Sequence, residues 1–370
     1  MDVLELTKQL VSMPSVSKDS NAAVNKLLED MLSEAGFEIE RNEYTDDNGV
    51  LKANFVAKIG PGTGGLAFCS HSDTVPGQEN QWPAFDPFEQ DGSLFGRGSC
   101  DMKGPLAATV IAAIKIDPAQ LKKPVYIVVT SDEEVGLIGA KFLSEVSDIL
   151  KNDRPEHGII AEPTSMIPVY AHKGFALVTV TANGRAAHTS TGLGESATIK
   201  IAPFMADMAE LDVEMKANPI YQNDDFEPPT NGFNMTISDY ATPFNVTASK
   251  TTVHMSFRTM PNTDTEGILA KMEERAKAHG LDFAADLVEP LFCPPSADIV
   301  QAALMLSERE AAETVPYGTD GTYLQNVIKD IVILGPGDIK VAHTIEEHVP
   351  LNELNQAVDV YLGLIKELCC

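Results

Sequence analysis

The segment PVYIVVTSDEEVG, residues 124–136, runs from six β-branched or aromatic residues through one serine into three acids. Val125 to Thr130 read as a buried strand, because a short unbroken apolar run bounded by polar residues marks a strand covered on both faces. Asp132, Glu133 and Glu134 follow at once. Carboxylates crowded at a covered strand end repel one another and lose hydration. Such a cluster makes physical sense where a cation offsets both costs.

Three more apolar runs share the habit. LAFC, residues 66–69, enters Ser70, His71, Ser72 and Asp73. GIIA, residues 158–161, enters Glu162, and IVILGPG, residues 331–337, leads through a short loop to His343. In open α/β sheets, ligand sites lie beyond the carboxyl ends of the strands, so these four ends are expected to converge. The Gly-rich turn GSCDMK, residues 98–103, adds Asp101 where a helix over 103–116 begins. Two imidazoles and several carboxylates without a thiolate cluster suit Zn²⁺, Mn²⁺ or Co²⁺. One acid would then remain as a general base.

Each residue also has a plainer reading alone. Glu133 and Glu134 could favour a helix N-terminus, Asp101 could be a cap, and Glu162 before Pro163 a turn residue. A single His after a strand is more often structural than a ligand. None of these readings accounts for the recurrence at successive strand ends.

Other motifs carry less. Gly60, Gly62 and Gly65 form a dinucleotide-type spacing, but an apolar strand follows them where a helix is required, so a hairpin between strands at 54–59 and 66–69 is expected. HTIEEH, residues 343–348, approaches a helical zinc motif but fits neither HExxH nor HxxEH. Cys69 and Cys100 read as small packing residues.

The 370 residues are 44% hydrophobic and 22% charged, with net charge −27 and pI ≈ 4.5. That allows a large core and argues against nucleic acid and anionic membrane as partners. Five cysteines without CxxC point to a reducing, cytoplasmic setting. MDVLELTKQLVSM lacks the basic start of a signal peptide, and no apolar stretch is long enough to span a membrane.

Helical periodicity over 3–13, 22–35, 137–150, 297–312 and 351–368 alternates with apolar strand runs, the pattern of an α/β layer. From residue 170 the texture changes. FALVTVTANG and KTTVHMSFRTMP are long alternating strands, with helices expected at 196–216 and 264–279. The reading is a discontinuous α/β domain, 1–170 and 287–370, interrupted by a smaller α+β domain at 171–286.

The ordered set SHSDTVPG, GRGSCDMKG, TSDEEVG, AEPTS and GPGDIKVAHTIEEHV resembles the M20 metallopeptidase family, and within it the acetylornithine deacetylase / succinyl-diaminopimelate desuccinylase branch. The likeness spans essentially the whole chain. It implies a zinc-peptidase-like catalytic domain with a central mixed sheet and an inserted α+β lid domain that makes a homodimer. It implies two divalent metal ions, zinc foremost, with cobalt or manganese as alternatives. His71 and Glu162 would hold one ion, Glu134 and His343 the other, and Asp101 would bridge them, followed by a cis peptide to Met102. Glu133 would be the general base, and Asp73 the partner of the His71 imidazole. On the substrate side it implies His188 in GRAAHTS, reaching across a dimer, Arg258 gripping a carboxylate, Asn245, and a loop with Gly318 and Thr319. Glu162, where peptidase relatives tend to carry Asp, favours a deacylase or carboxypeptidase. The expected activity is hydrolysis of a small N-acyl amino acid in amino-acid metabolism. A carboxypeptidase or dipeptidase is the alternative, and a non-catalytic binding protein on the same fold a more distant one. His348 departs from the family pattern and stands as an extra imidazole beside the pocket.

Overall fold

The computed structural model describes all 370 residues. They form two compact units: Met1–Ala171 with Phe292–Glu313 and Thr319–Cys370, and His172–Leu291 with Thr314–Gly318. The return of 314–318 to the second unit had no signature in the sequence.

The first unit is built on a mixed sheet. Six of its nine strands lie in the order Glu38–Thr45, Leu51–Ile59, Val125–Thr130, Leu66–His71, His157–Ile160 and Asp330–Ile333. The last four are mutually parallel and every residue of the first three of these is buried, as continuous apolar runs require. Their carboxyl ends therefore share one edge of the sheet. Register makes this concrete: His71 lies beside Thr130, Cys69 beside Ile160, and Ile160 beside Ile333.

Helices cover the faces. In Lys103–Ile114 every residue from Lys103 to Ala113 is buried, so this helix is apolar all round and lies inside the unit. Its alanines let the sheet on one side and the helices Val3–Val11 and Leu351–Cys369 on the other approach closely. Each large side chain buried there, such as Leu106, Phe68 or Leu364, contributes about 1.5–3 kcal/mol.

Two expectations are corrected, and one strand is added. Residues 54–59 and 66–69 are not a hairpin: Val125–Thr130 lies between them, antiparallel to Leu51–Ile59 and parallel to Leu66–His71. Gly65 serves that crossing, not a hairpin turn, since its φ is +77° and a Cβ would stand 2.0 Å from the Pro124 carbonyl oxygen. The helix expected over 137–150 is two, Ile138–Val146 and Asp148–Asp153, because Ser147 turns extended and caps the second through Leu150 N–H at 3.1 Å. Glu38–Thr45, EIERNEYT, was not foreseen; it is a charged edge strand, a sequence that blunts further pairing.

The second unit is α+β. Its antiparallel sheet runs Asn234–Ser238, Lys250–Thr259, Gly174–Asn183, Asp282–Val288. Alternate residues Val178, Val180, Val253, Met255 and Phe257 bury one face against the helices Ala197–Ala217 and Thr265–Ala278. On the other face Phe175, Leu177, Ser256 and Arg258 line a cleft of about 300 Å³.

His172, fully buried with Nδ1 3.0 Å from the Lys173 carbonyl, titrates at about 4, since burial disfavours its cation. The unfolded chain binds this proton below about 6.5 and the folded chain does not. Stability from this group is thus complete above that pH and is lost as pH falls toward 4, by about 3 kcal/mol in all. Urea midpoints at pH 7 and 4.5 should separate less in His172→Gln than in the wild type; equal separations would refute the assignment.

Candidate metal centre

Each acid of the opening trio has its own surroundings. Asp132 sits in left-handed backbone, φ 52°, and is buried away from its neighbours. Lys52 Nζ donates to its Oδ1 at 2.8 Å and Tyr44 OH to its Oδ2 at 2.7 Å. Lys52 is itself buried and donates also to the Ser17 carbonyl. This buried pair fixes the turn at the strand end, from which Glu133 and Glu134 continue. Gly139 completes the turn: a Cβ there would stand 2.1 Å from the Ser131 carbonyl, so only glycine lets the next helix start so close beneath the strand.

His71, Asp101 and Glu162 form one group of potential metal donors, and Asp101, Glu134 and His343 a second. His71 Nε2 lies 3.1 Å from Asp101 Oδ1 and 3.5 Å from Glu162 Oε1. His343 Nε2 lies 3.2 Å from Asp101 Oδ2 and 3.0 Å from Glu134 Oε2. Donors about 2.0–2.2 Å from one tetrahedral ion stand roughly 3.3–3.6 Å apart, so each group has nearly the span of a zinc-like ion with a fourth position open. Asp101 presents one oxygen to each group, and its peptide bond to Met102 is cis.

The electrostatics fit the same donor set. Burial pushes the Glu162 carboxyl well above its ordinary value, with the Asp101 charge adding to it. Burial raises Glu133 well above its range too; the His71 charge opposes this, and Glu162, Asp320 and Glu134 reinforce it. Burial likewise raises Glu134, against the hydrogen bond from His343. Asp101 goes the other way: burial works against it, but hydrogen bonds to His343 and His71 hold it below the carboxylate range. Hydrogen bonds to Asp101 and Glu134 push His343 up to about 10. His71 also rises well above its ordinary value, because the Asp101 and Asp73 hydrogen bonds outweigh burial. Without metal, protons do the work of cations here, and metal binding must release them.

His71 Nδ1 lies 3.0 Å from the Asp73 carbonyl and 3.5 Å from its carboxylate, which leaves Nε2 facing Asp101. The Asp73 carboxylate accepts Ser17 Oγ at 2.7 Å and the Glu133 N–H at 3.2 Å, so it ties His71 to Glu133. Thr319 is buried in the first unit, its Oγ1 accepting the Gly321 N–H at 3.1 Å.

His188, Asn245, Arg258 and Gly318 belong to the second unit. There His188 pairs with Val246 as an isolated bridge and the Asn245 carbonyl accepts Thr189 N–H at 3.0 Å, so these two residues share one loop pair. The Arg258 guanidinium lies 5.9 Å from the Phe175 ring centre. His348 stacks on Phe95 at 4.7 Å and stands in neither donor group. All five cysteines are free thiols. Sequence reasoning missed Lys52, Arg97 and Glu347, buried charges with long-range partners; an Arg between two glycines and a Glu four residues past His343 were the only hints.

Residues 67–367 match the model of peptidase family M20/M25/M40. The chain is 33% identical to acetylornithine deacetylase from Photorhabdus laumondii subsp. laumondii, over 99% of this chain and 97% of that one. An M20 family metallo-carboxypeptidase from Sulfolobus solfataricus shares the fold with TM-score 0.74 at 18% identity, covering 99% of each chain. A dinuclear metal binding peptidase from Bacillus subtilis does so with TM-score 0.65 at 16% identity, covering 99% of this chain and 97% of that one. A family match over most of the length, on a mixed sheet whose parallel strand ends gather two donor groups around a shared aspartate, leads to one conclusion: the chain is a member of peptidase family M20/M25/M40, a metallohydrolase family.

Proposed function

We propose that this protein hydrolyses the amide bond of a small N-acyl amino acid, holding two divalent ions, zinc foremost. The carrying observation is that Asp101 offers one oxygen to each of two His/Glu pairs while Glu133 stands beside them in neither group. The naming of the Photorhabdus relative as an acetylornithine deacetylase supports this substrate class.

His71, Glu162 and Asp101 would hold one ion and Glu134, His343 and Asp101 the other. When bound, the ions supply Lewis acidity and make water easier to deprotonate. Glu133 accepts the proton of the water whose oxygen attacks the amide carbonyl carbon. It returns a proton to the nitrogen as the C–N bond breaks, so that a carboxylate and an amine leave. Asp73 orients the base by accepting its backbone N–H. Arg258 would grip the substrate carboxylate with its two-pronged guanidinium, and His188, Asn245, Gly318 and Thr319 would line the substrate side. No helix is long and apolar enough to cross a membrane. Five free thiols support a cytoplasmic setting. Ile199 and Val213, 76% and 66% exposed on one helix of the second unit, support a homodimer through that unit.

The test is amine release from N-acetyl, N-succinyl and N-formyl amino acids and from dipeptides, using metal-stripped protein with and without Zn²⁺ or Co²⁺. Metal-dependent turnover of one acyl class is expected. Turnover of dipeptides alone would replace the deacylase reading with a peptidase.

A further inference from the structure

HTIEEH, residues 343–348, is a near-miss to a zinc motif, and its Glu347 donates to neither metal group. Glu347 is instead fully buried and gathers backbone. Its Oε1 accepts the N–H groups of Gly98 at 2.9 Å, Cys100 at 3.1 Å and Asp101 at 3.0 Å. Its Oε2 accepts from Arg97 Nη1. Arg97, 1% exposed, directs the rest of its guanidinium to carbonyls: Nη2 to Thr344 at 3.2 Å and Nε to Pro76 at 3.3 Å. Trp82 covers it, with the ring centre 5.7 Å away.

One ion pair thus touches three segments. Pro76 lies on the loop leaving the His71 strand, Gly98 to Asp101 form the turn that delivers the shared aspartate, and Thr344 follows His343 directly. Stability alone is a poor reason for such a pair. Two buried charges lose their hydration, and apolar residues of the same shape usually serve a core as well or better. Apolar residues could not collect three N–H groups into an anion nest while holding two carbonyls at fixed separation. His343 also needs a restraint. Its side chain is 51% exposed and its backbone is left-handed, φ 63°, a conformation that a non-glycine residue keeps only where its surroundings enforce it.

We propose that Arg97 and Glu347 are a positioning pair that sets Asp101 and His343 at metal-binding separation. The inference rests on the metal reading of the site. Neither residue touches substrate.

Metal-stripped wild type, Glu347→Ala and Glu347→Gln are titrated with Zn²⁺ and Co²⁺ by calorimetry, with the visible absorption of bound Co²⁺ as the report on ligand geometry and circular dichroism as the report on folding. Glu347→Ala should bind both ions roughly 10–100-fold more weakly, with an altered cobalt spectrum. Glu347→Gln, which keeps an acceptor oxygen but not the charge facing Arg97, should lose less and still differ from wild type. A folded Glu347→Ala with wild-type affinity and spectrum overturns the proposal. If that variant does not fold, Glu347→Gln decides, and wild-type behaviour there overturns it equally. Wild type that binds neither ion would overturn the metal reading itself, and the positioning role with it.

Discussion

Glu133→Gln should lower kcat by about 10²–10⁴-fold, the usual worth of a positioned general base. In barrier terms that is about 3–5 kcal/mol. The substitution keeps the side chain's shape and the backbone N–H that Asp73 accepts, so the fold around it has no reason to move. Glu133 belongs to neither donor group, so two equivalents of metal should remain bound. KM should change little, because the proton transfer is made in the transition state and not in ground-state binding. Steady-state kinetics on one N-acyl substrate, with elemental analysis of the same sample, decides the matter. Retained turnover with retained metal would remove Glu133 from the base role. Lost turnover with lost metal would make it a ligand.

Asp101→Ala should abolish turnover by a different route. Both donor groups use this carboxylate, so a single substitution takes an oxygen from each and leaves two His/Glu pairs. Two-ligand sites hold such ions poorly, and both equivalents should be lost. Stability offers an independent reading. An ion that binds only the folded state adds about 4 kcal/mol when present at 1,000 times its Kd. Added Zn²⁺ should therefore raise the Tm of metal-stripped wild type and leave that of Asp101→Ala unmoved. Two equivalents in the variant would show that Asp101 is not shared.

The sequence disclosed the strand ends because their signal is local. An apolar run followed within a few residues by His, Asp or Glu is visible without knowing its neighbours, and four such runs, with the 98–103 turn, supply every member of both donor groups. Sheet order was hidden for the opposite reason. The glycines at 60–65 announce a change of direction, but nothing within them says that Val125–Thr130 will slide between the strands they connect. The charged strand Glu38–Thr45 escaped notice because an edge needs little apolar surface. Adjacency alone groups Asp132 with Glu133 and Glu134. Only its partner Lys52, eighty residues upstream, reveals an anchor. Arg97 and Glu347 pose the same problem at greater range: each looks like an ordinary surface charge until the chain closes and buries both.

The parallel strand block has a consequence for biogenesis. A ribosome delivers His71, Asp101, Glu134 and Glu162 long before His343, and the strand Asp330–Ile333 pairs with His157–Ile160 only after the whole second unit has emerged. Until then the nascent first unit presents an unfinished sheet edge and a cluster of acids lacking its last imidazole. Closing so distant a pairing is entropically slow. Proper metallation thus waits until residue 343 has emerged, and a truncated product ending before residue 330 would be the species most exposed to chaperones and proteases.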